Sequence, residues 1–166
     1  MSIFNLGFFK SLPLLSLLSG YIIEHFFLNQ QNMFFPLDKL ILYFWLLYRP
    51  DLISYLFLGL LYLFLDVLQG WMLGFNPLLI LLFSWIVLIQ RPWAIKRNFS
   101  LQWLLLVGSL SIYLTMLWLL KMIVEYKGLT SDVFVSYMVG ILLYPFIVRI
   151  LYPLYILIPL PQSYKA

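Results

Sequence analysis

Apolar residues run through this chain in six long blocks, broken at Pro, Gly and small clusters of charge rather than at regularly spaced polar positions. A bilayer core takes about 20 helical residues at a rise of ~1.5 Å each. The blocks predict helices near residues 8–28, 34–49, 52–69, 74–90, 101–123 and 133–152. The apolar/polar alternation of β-barrel strands is absent from them. The pattern predicts an all-α fold: one polytopic membrane bundle of six transmembrane helices, with residues 1–166 forming a single domain. The second block is short, so its helix is expected to tilt little, to thin the bilayer locally or to rest against neighbours. The first is too long for the apolar region of a signal peptide and no A-x-A cleavage site follows, so it reads as a retained helix. Pro145 is expected to kink the sixth helix, with Gly140 easing close packing a turn earlier. Pro153, Pro159 and Pro161 predict that this helix does not continue to residue 160 but gives way to an interfacial tail.

Composition agrees with a membrane class. The chain is 64% hydrophobic and 10% charged, against about 25% charged residues in soluble domains, and it has no polar set able to cover a water-exposed surface. The net charge of +4 does not point to nucleic acid, because the basic residues are scattered through short loops. Lys10, Arg49, Arg91, Lys96, Arg97, Arg149 and Lys165 fall on one side of a six-span bundle and Lys39, Lys121 and Lys127 on the other, which predicts cytoplasmic N- and C-termini. The loop of residues 91–97, with Arg91, Lys96 and Arg97, is a candidate contact for anionic membrane lipids or a cytoplasmic partner, or a topology anchor alone. Cysteine is absent and His25 is the single histidine. Disulfides, thiolate sites and histidine-rich metal sites are therefore excluded, and no metal or cofactor is expected.

No nucleotide-binding, serine-hydrolase or metalloprotease motif occurs, so no catalytic residue is assigned and the chain is expected not to be an enzyme. Glu24 and His25 are neighbours that point about 100° apart on a helix; they read as a wetted pair at the outer interface. Asp66 stands out in Gly59-Leu60-Leu61-Tyr62-Leu63-Phe64-Leu65-Asp66-Val67-Leu68-Gln69-Gly70-Trp71-Met72-Leu73-Gly74. A carboxylate at a membrane-helix centre costs roughly 2.5–3.5 kcal/mol on insertion scales. Three roles fit it: capping a turn by accepting backbone N–H bonds, pairing with a cation from another helix, or facing a ligand cavity. Gly59, Asp66, Gly70 and Gly74 would share one face of an unbroken helix, and equally Gly70 could end one helix and Gly74 begin the next. The six tryptophans are spread over the chain, which favours interfacial belts and packing over an aromatic ligand cage.

Pro36-Leu37-Asp38-Lys39-Leu40 leading to Tyr43-Phe44-Trp45, then Arg49-Pro50, then Gly59, Asp66, Gly70 and Leu73-Gly74, resembles the rod shape-determining protein MreD family. The resemblance covers the second to fourth helices and continues more weakly into Gly140-Ile141-Leu142-Leu143-Tyr144-Pro145. It implies a fold similar to the substrate-binding subunits of energy-coupling-factor transporters. It also implies a non-enzymatic role in the bacterial cell-wall elongation complex that maintains rod shape. The partners it implies are MreC, MreB, and a peptidoglycan polymerase and transpeptidase pair. On that resemblance Pro36, Arg49, Pro50, Gly59, Asp66, Gly70, Gly74 and Pro145 are the motif or packing positions. The alternative is a small-solute transporter or its substrate-capture subunit, which needs several polar groups converging near Asp66, Glu24, His25 or Glu125. A lipid-modifying enzyme would need a catalytic constellation that the sequence does not display.

Overall fold

The computed structural model describes residues 3–24, 36–69, 72–95, 98–125 and 131–158. These form an all-α arrangement: α1 (Ile3–Ile22), α2 (Leu37–Tyr48), a single 3-10 turn (Pro50–Leu52), α3 (Tyr55–Gln69), α4 (Phe75–Ile95), α5 (Phe99–Glu125) and α6 (Ser131–Leu157). In α4, α5 and α6 the apolar stretches Phe75–Ile95, Phe99–Ile123 and Val133–Leu157 are each long enough to cross a membrane, while Ser11–Ile22 and Tyr55–Leu68 are shorter apolar helices. The architecture points to a multi-pass membrane protein.

The shortest α-helix is the central one. At twelve residues, α2 measures about 18 Å at ~1.5 Å per residue, well under the ~30 Å hydrocarbon thickness. Every side chain from Asp38 to Leu47 is buried. α1, α4 and α6 pack directly on it, and α4 also packs on α3 and α5. The core therefore forms around Leu40, Leu42, Tyr43, Phe44, Trp45 and Leu46 of α2, with Leu17, Leu58, Phe83, Leu106 and Tyr144 arriving from the surrounding helices. Trp45 Nε1 donates to Ser16 Oγ at 2.8 Å and fixes α1 against α2. Gly140 of α6 is a point of close approach: a Cβ there would meet Pro36 Cγ at 2.8 Å and Leu40 Cδ1 at 3.6 Å.

A helix that starts and stops among other helices has to satisfy its end groups with protein atoms wherever water is excluded. At the C-terminal end of α2, Arg91 Nε of α4 donates to the Leu47 carbonyl at 3.0 Å, and the Arg49 N–H returns to the Trp45 carbonyl at 2.7 Å. Arg49 is buried, pairs with Asp51 at 3.3 Å and reaches the Ile158 carbonyl at 3.5 Å, joining this end to the end of α6. Tyr43 and Tyr48 hydroxyls donate to the Gln102 backbone carbonyl and Oε1 at 2.8 and 3.1 Å, and Gln102 Nε2 donates to the Ala94 carbonyl at 3.2 Å.

Two sequence expectations are corrected here. Helix α4 does not stop before Arg91 but runs on to Ile95, so Arg91, Pro92 and Trp93 are helical rather than loop residues. The physical reason is that Arg91 finds a carbonyl in α2, and that Ala94 is buried with its own carbonyl taken by Gln102. Lys96 and Arg97 lie outside the described residues. Helix α6 likewise continues through Pro145 and Pro153 to Leu157, instead of yielding to an interfacial tail. Pro145 cannot donate to the carbonyl four residues earlier, Ile141, and Trp103 Nε1 of α5 donates to that carbonyl at 2.9 Å. Past Pro153 the helix is held by Tyr155 against Tyr48, with ring centroids 5.5 Å apart, and by buried Ile158.

Candidate functional site: a buried ion cluster at the start of α2

The N-terminal end of α2 carries the unusual chemistry. Pro36 occupies the N-cap without a side-chain capping bond. Helix-start N–H groups need acceptors, and the acceptors here are acidic side chains. Asp38 Oδ1 accepts the Lys39 N–H at 2.7 Å, and the Glu24 carboxyl faces the Asp38 N–H. Glu24 arrives on a wider π turn that follows α1. Both carboxyl groups sit at the positive end of the α2 dipole, where negative charge is favoured.

Lys39 lies between them. Its Nζ is 2.9 Å from Asp38 Oδ1 and 3.8 Å from Glu24 Oε1, and 5.8 Å from the centre of the Tyr113 ring, within cation–π range. The Tyr62 hydroxyl of α3 donates to Asp38 Oδ2 at 2.7 Å. Tyr113 of α5 and Tyr137 of α6 stack at 6.3 Å and close the cluster. Asp38 is 1% exposed, and Lys39 and Glu24 are each 8% exposed. Tyr62 is the middle residue of α3 and Tyr113 stands one residue past the middle of α5, so the charges lie deep in the bundle.

A charge this deep is tolerated only when paired and hydrogen-bonded, and removing one partner of such a pair costs about 3–5 kcal/mol. Asp38 meets that condition fully. Glu24 does not: its Oε2 is buried and has no hydrogen-bond partner among the described residues. One ammonium against two carboxyls leaves the described cluster one negative charge in surplus when all three are ionised.

Sequence reasoning placed Glu24 in a wetted interfacial pair with His25 and counted Lys39 among outer-loop cations. The structure buries Glu24 and Lys39 instead, because α2 begins within the bundle rather than at its edge; His25 lies outside the described residues. Glu24 and Asp38 come from different elements, so no spacing along a single helix displays the pair. The acid and the base directly before the apolar run of residues 40–47 mark a helix start without showing that it is buried.

Asp66 is separate from this cluster. It is fully buried, and Oδ2 accepts the N–H groups of Gly74 at 3.0 Å and Asn76 at 3.3 Å, while Oδ1 accepts Asn76 Nδ2 at 2.6 Å. Of the three roles open to it, the geometry is that of turn and helix capping: the carboxyl holds the α3–α4 turn and the first turn of α4. Gly59 and Asp66 lie in α3, whereas Gly74 lies in the turn that precedes α4 and so is not on their helical face. Gly74 has φ +92°, a left-handed conformation that suits glycine. Gly70 lies outside the described residues. Gly59 faces Leu81 at an ordinary van der Waals distance of 3.6 Å from a built Cβ. Pro50 opens the 3-10 turn.

Among the described residues no group of three His, Cys, Asp or Glu side chains is placed to hold a metal ion. Comparison with protein-family models, with curated proteins and with solved structures finds no match to this chain.

Proposed function

We propose that this chain is a non-enzymatic membrane component of the bacterial cell-wall elongation complex, as its resemblance to the MreD family implies. On this reading it crosses the inner membrane six times with both termini cytoplasmic, in an arrangement like that of the substrate-binding subunits of energy-coupling-factor transporters. It assembles through its helices with MreC and, directly or through it, with MreB and a peptidoglycan polymerase and transpeptidase pair.

One observation supports a scaffold most. The described polar groups are largely engaged inside, holding short α2 and the α3–α4 turn, while the outward faces are apolar. Leu56, Leu60 and Phe64 line α3 at helical spacing, and Val135, Met138, Leu142, Phe146 and Ile150 do so on α6; all are exposed. In lipid, such faces associate with partner helices through packing and lipid release. Purification in mild detergent should recover wall-synthesis proteins, and depletion from a rod-shaped host should round the cells. Normal shape after depletion, with no wall protein recovered, refutes the proposal.

The unpartnered Glu24 Oε2 favours a second reading, a substrate-capture subunit of a transporter. An ATPase module or a tightly held small molecule in the same purification would support it instead.

A further inference from the structure

We infer that Glu24 and Asp38 form a carboxyl dyad that binds a single proton between α1 and α2, with Lys39 as its fixed counter-charge. The first observation is mutual position. Both carboxyl groups stand against the same ammonium, Asp38 Oδ1 at 2.9 Å and Glu24 Oε1 at 3.8 Å from Lys39 Nζ, so two ionised carboxylates there repel each other, whereas one shared proton turns the repulsion into a hydrogen bond. The second is Glu24 Oε2, buried and without a partner. An ionised Glu24 would carry part of its charge on an oxygen to which no described group donates, in a poorly solvated place. The third is charge: with one proton on the dyad, one carboxylate balances the Lys39 ammonium and the cluster is neutral.

The groups facing the dyad leave a proton as the fitting occupant. Lys39 of α2 lies 2.9 Å from Asp38 and 3.8 Å from Glu24, and so repels a metal cation. Tyr62 of α3 donates to Asp38 Oδ2, which places the ionised carboxylate on Asp38 and the proton on Glu24. Among the described residues, Tyr113 of α5 and Tyr137 of α6 are the other titratable groups facing it. The inference does not depend on the wall-elongation proposal.

Infrared spectroscopy of the full chain in detergent at neutral pH tests it. The wild type should show a carboxylic-acid C=O band that shifts in D2O, and Glu24→Gln should lose it. The chain has two glutamates, Glu24 and Glu125, so 13C-glutamate labelling of the unmutated protein gives the same test should the variant fail to fold. The labelled band should move, and it should persist in Glu125→Gln. Lys39→Gln should raise the protonated-carboxyl signal about twofold, because the counter-charge is gone. Absence of any protonated carboxyl in the wild type would overturn the inference and leave the α2 N-terminus carrying the surplus charge alone. A band untouched by glutamate labelling, or one abolished by Na+ at constant pH, would also overturn it.

Discussion

Replacing Asp66 separates capping from charge pairing, because the two roles predict different orders of damage. Asp66→Ala removes three hydrogen bonds, to the Gly74 N–H, the Asn76 N–H and Asn76 Nδ2. Bonds to charged groups contribute about 1.5–3 kcal/mol each but are not additive, and a lost helix cap costs about 0.5–2 kcal/mol. A net loss of about 3 kcal/mol follows. Asp66→Asn keeps one oxygen for the backbone N–H groups, and a rotated Asn76 amide can accept from the new Nδ2. Its cost should be about 1 kcal/mol. For a chain of this size, 1 kcal/mol corresponds to roughly 2–4 °C in Tm. Thermal unfolding in detergent, followed by tryptophan fluorescence, should therefore fall by about 6–12 °C for Ala and 2–4 °C for Asn. Asn76→Ala combined with Asp66→Ala should cost little beyond Asp66→Ala, a coupling of about 1 kcal/mol or more. If Asn proves as damaging as Ala, the charge is what counts and the capping argument is wrong. If neither change moves Tm, the bonds contribute nothing.

Further outcomes follow from the other contacts. Lys39→Met should destabilise by about 3–5 kcal/mol, since it strips the cation from two buried carboxyls, whereas Tyr62→Phe should lose about 1.5–3 kcal/mol with the single bond to Asp38; denaturation in mixed micelles ranks the two. Gly140→Ala should cost about 1–3 kcal/mol, because the added Cβ meets the rigid Pro36 ring. Gly59→Ala should be neutral or stabilise by up to about 1 kcal/mol, its Cβ meeting only ordinary contact, and equal Tm shifts at the two positions would contradict the packing argument. Trp103→Phe should cost about 1–3 kcal/mol by freeing the Ile141 carbonyl that Pro145 leaves without a donor, and combining it with Pro145→Ala should recover part of that loss.

The amino-acid sequence by itself determined that the chain is helical, where its apolar blocks lie, and that Asp66 needs a special partner. Those properties depend on local composition and on the cost of unsatisfied polar groups in a low-dielectric medium. The tertiary structure decided that α2 is the centre. In a water-soluble protein a helix shows its buried face as a stripe of apolar residues. In lipid the outside is as apolar as the core, so the pattern of Leu40 to Leu47 looks the same whether it faces hydrocarbon or other helices. Burial at Asp38 and Lys39 was invisible for that reason: an acid and a base beside an apolar block read as a membrane edge until α1, α3, α5 and α6 surround them. Proline reads similarly in one dimension. Pro145 predicts a kink in the sixth helix, and it is the indole of Trp103, brought from another helix, that donates to the Ile141 carbonyl Pro145 leaves without a backbone donor.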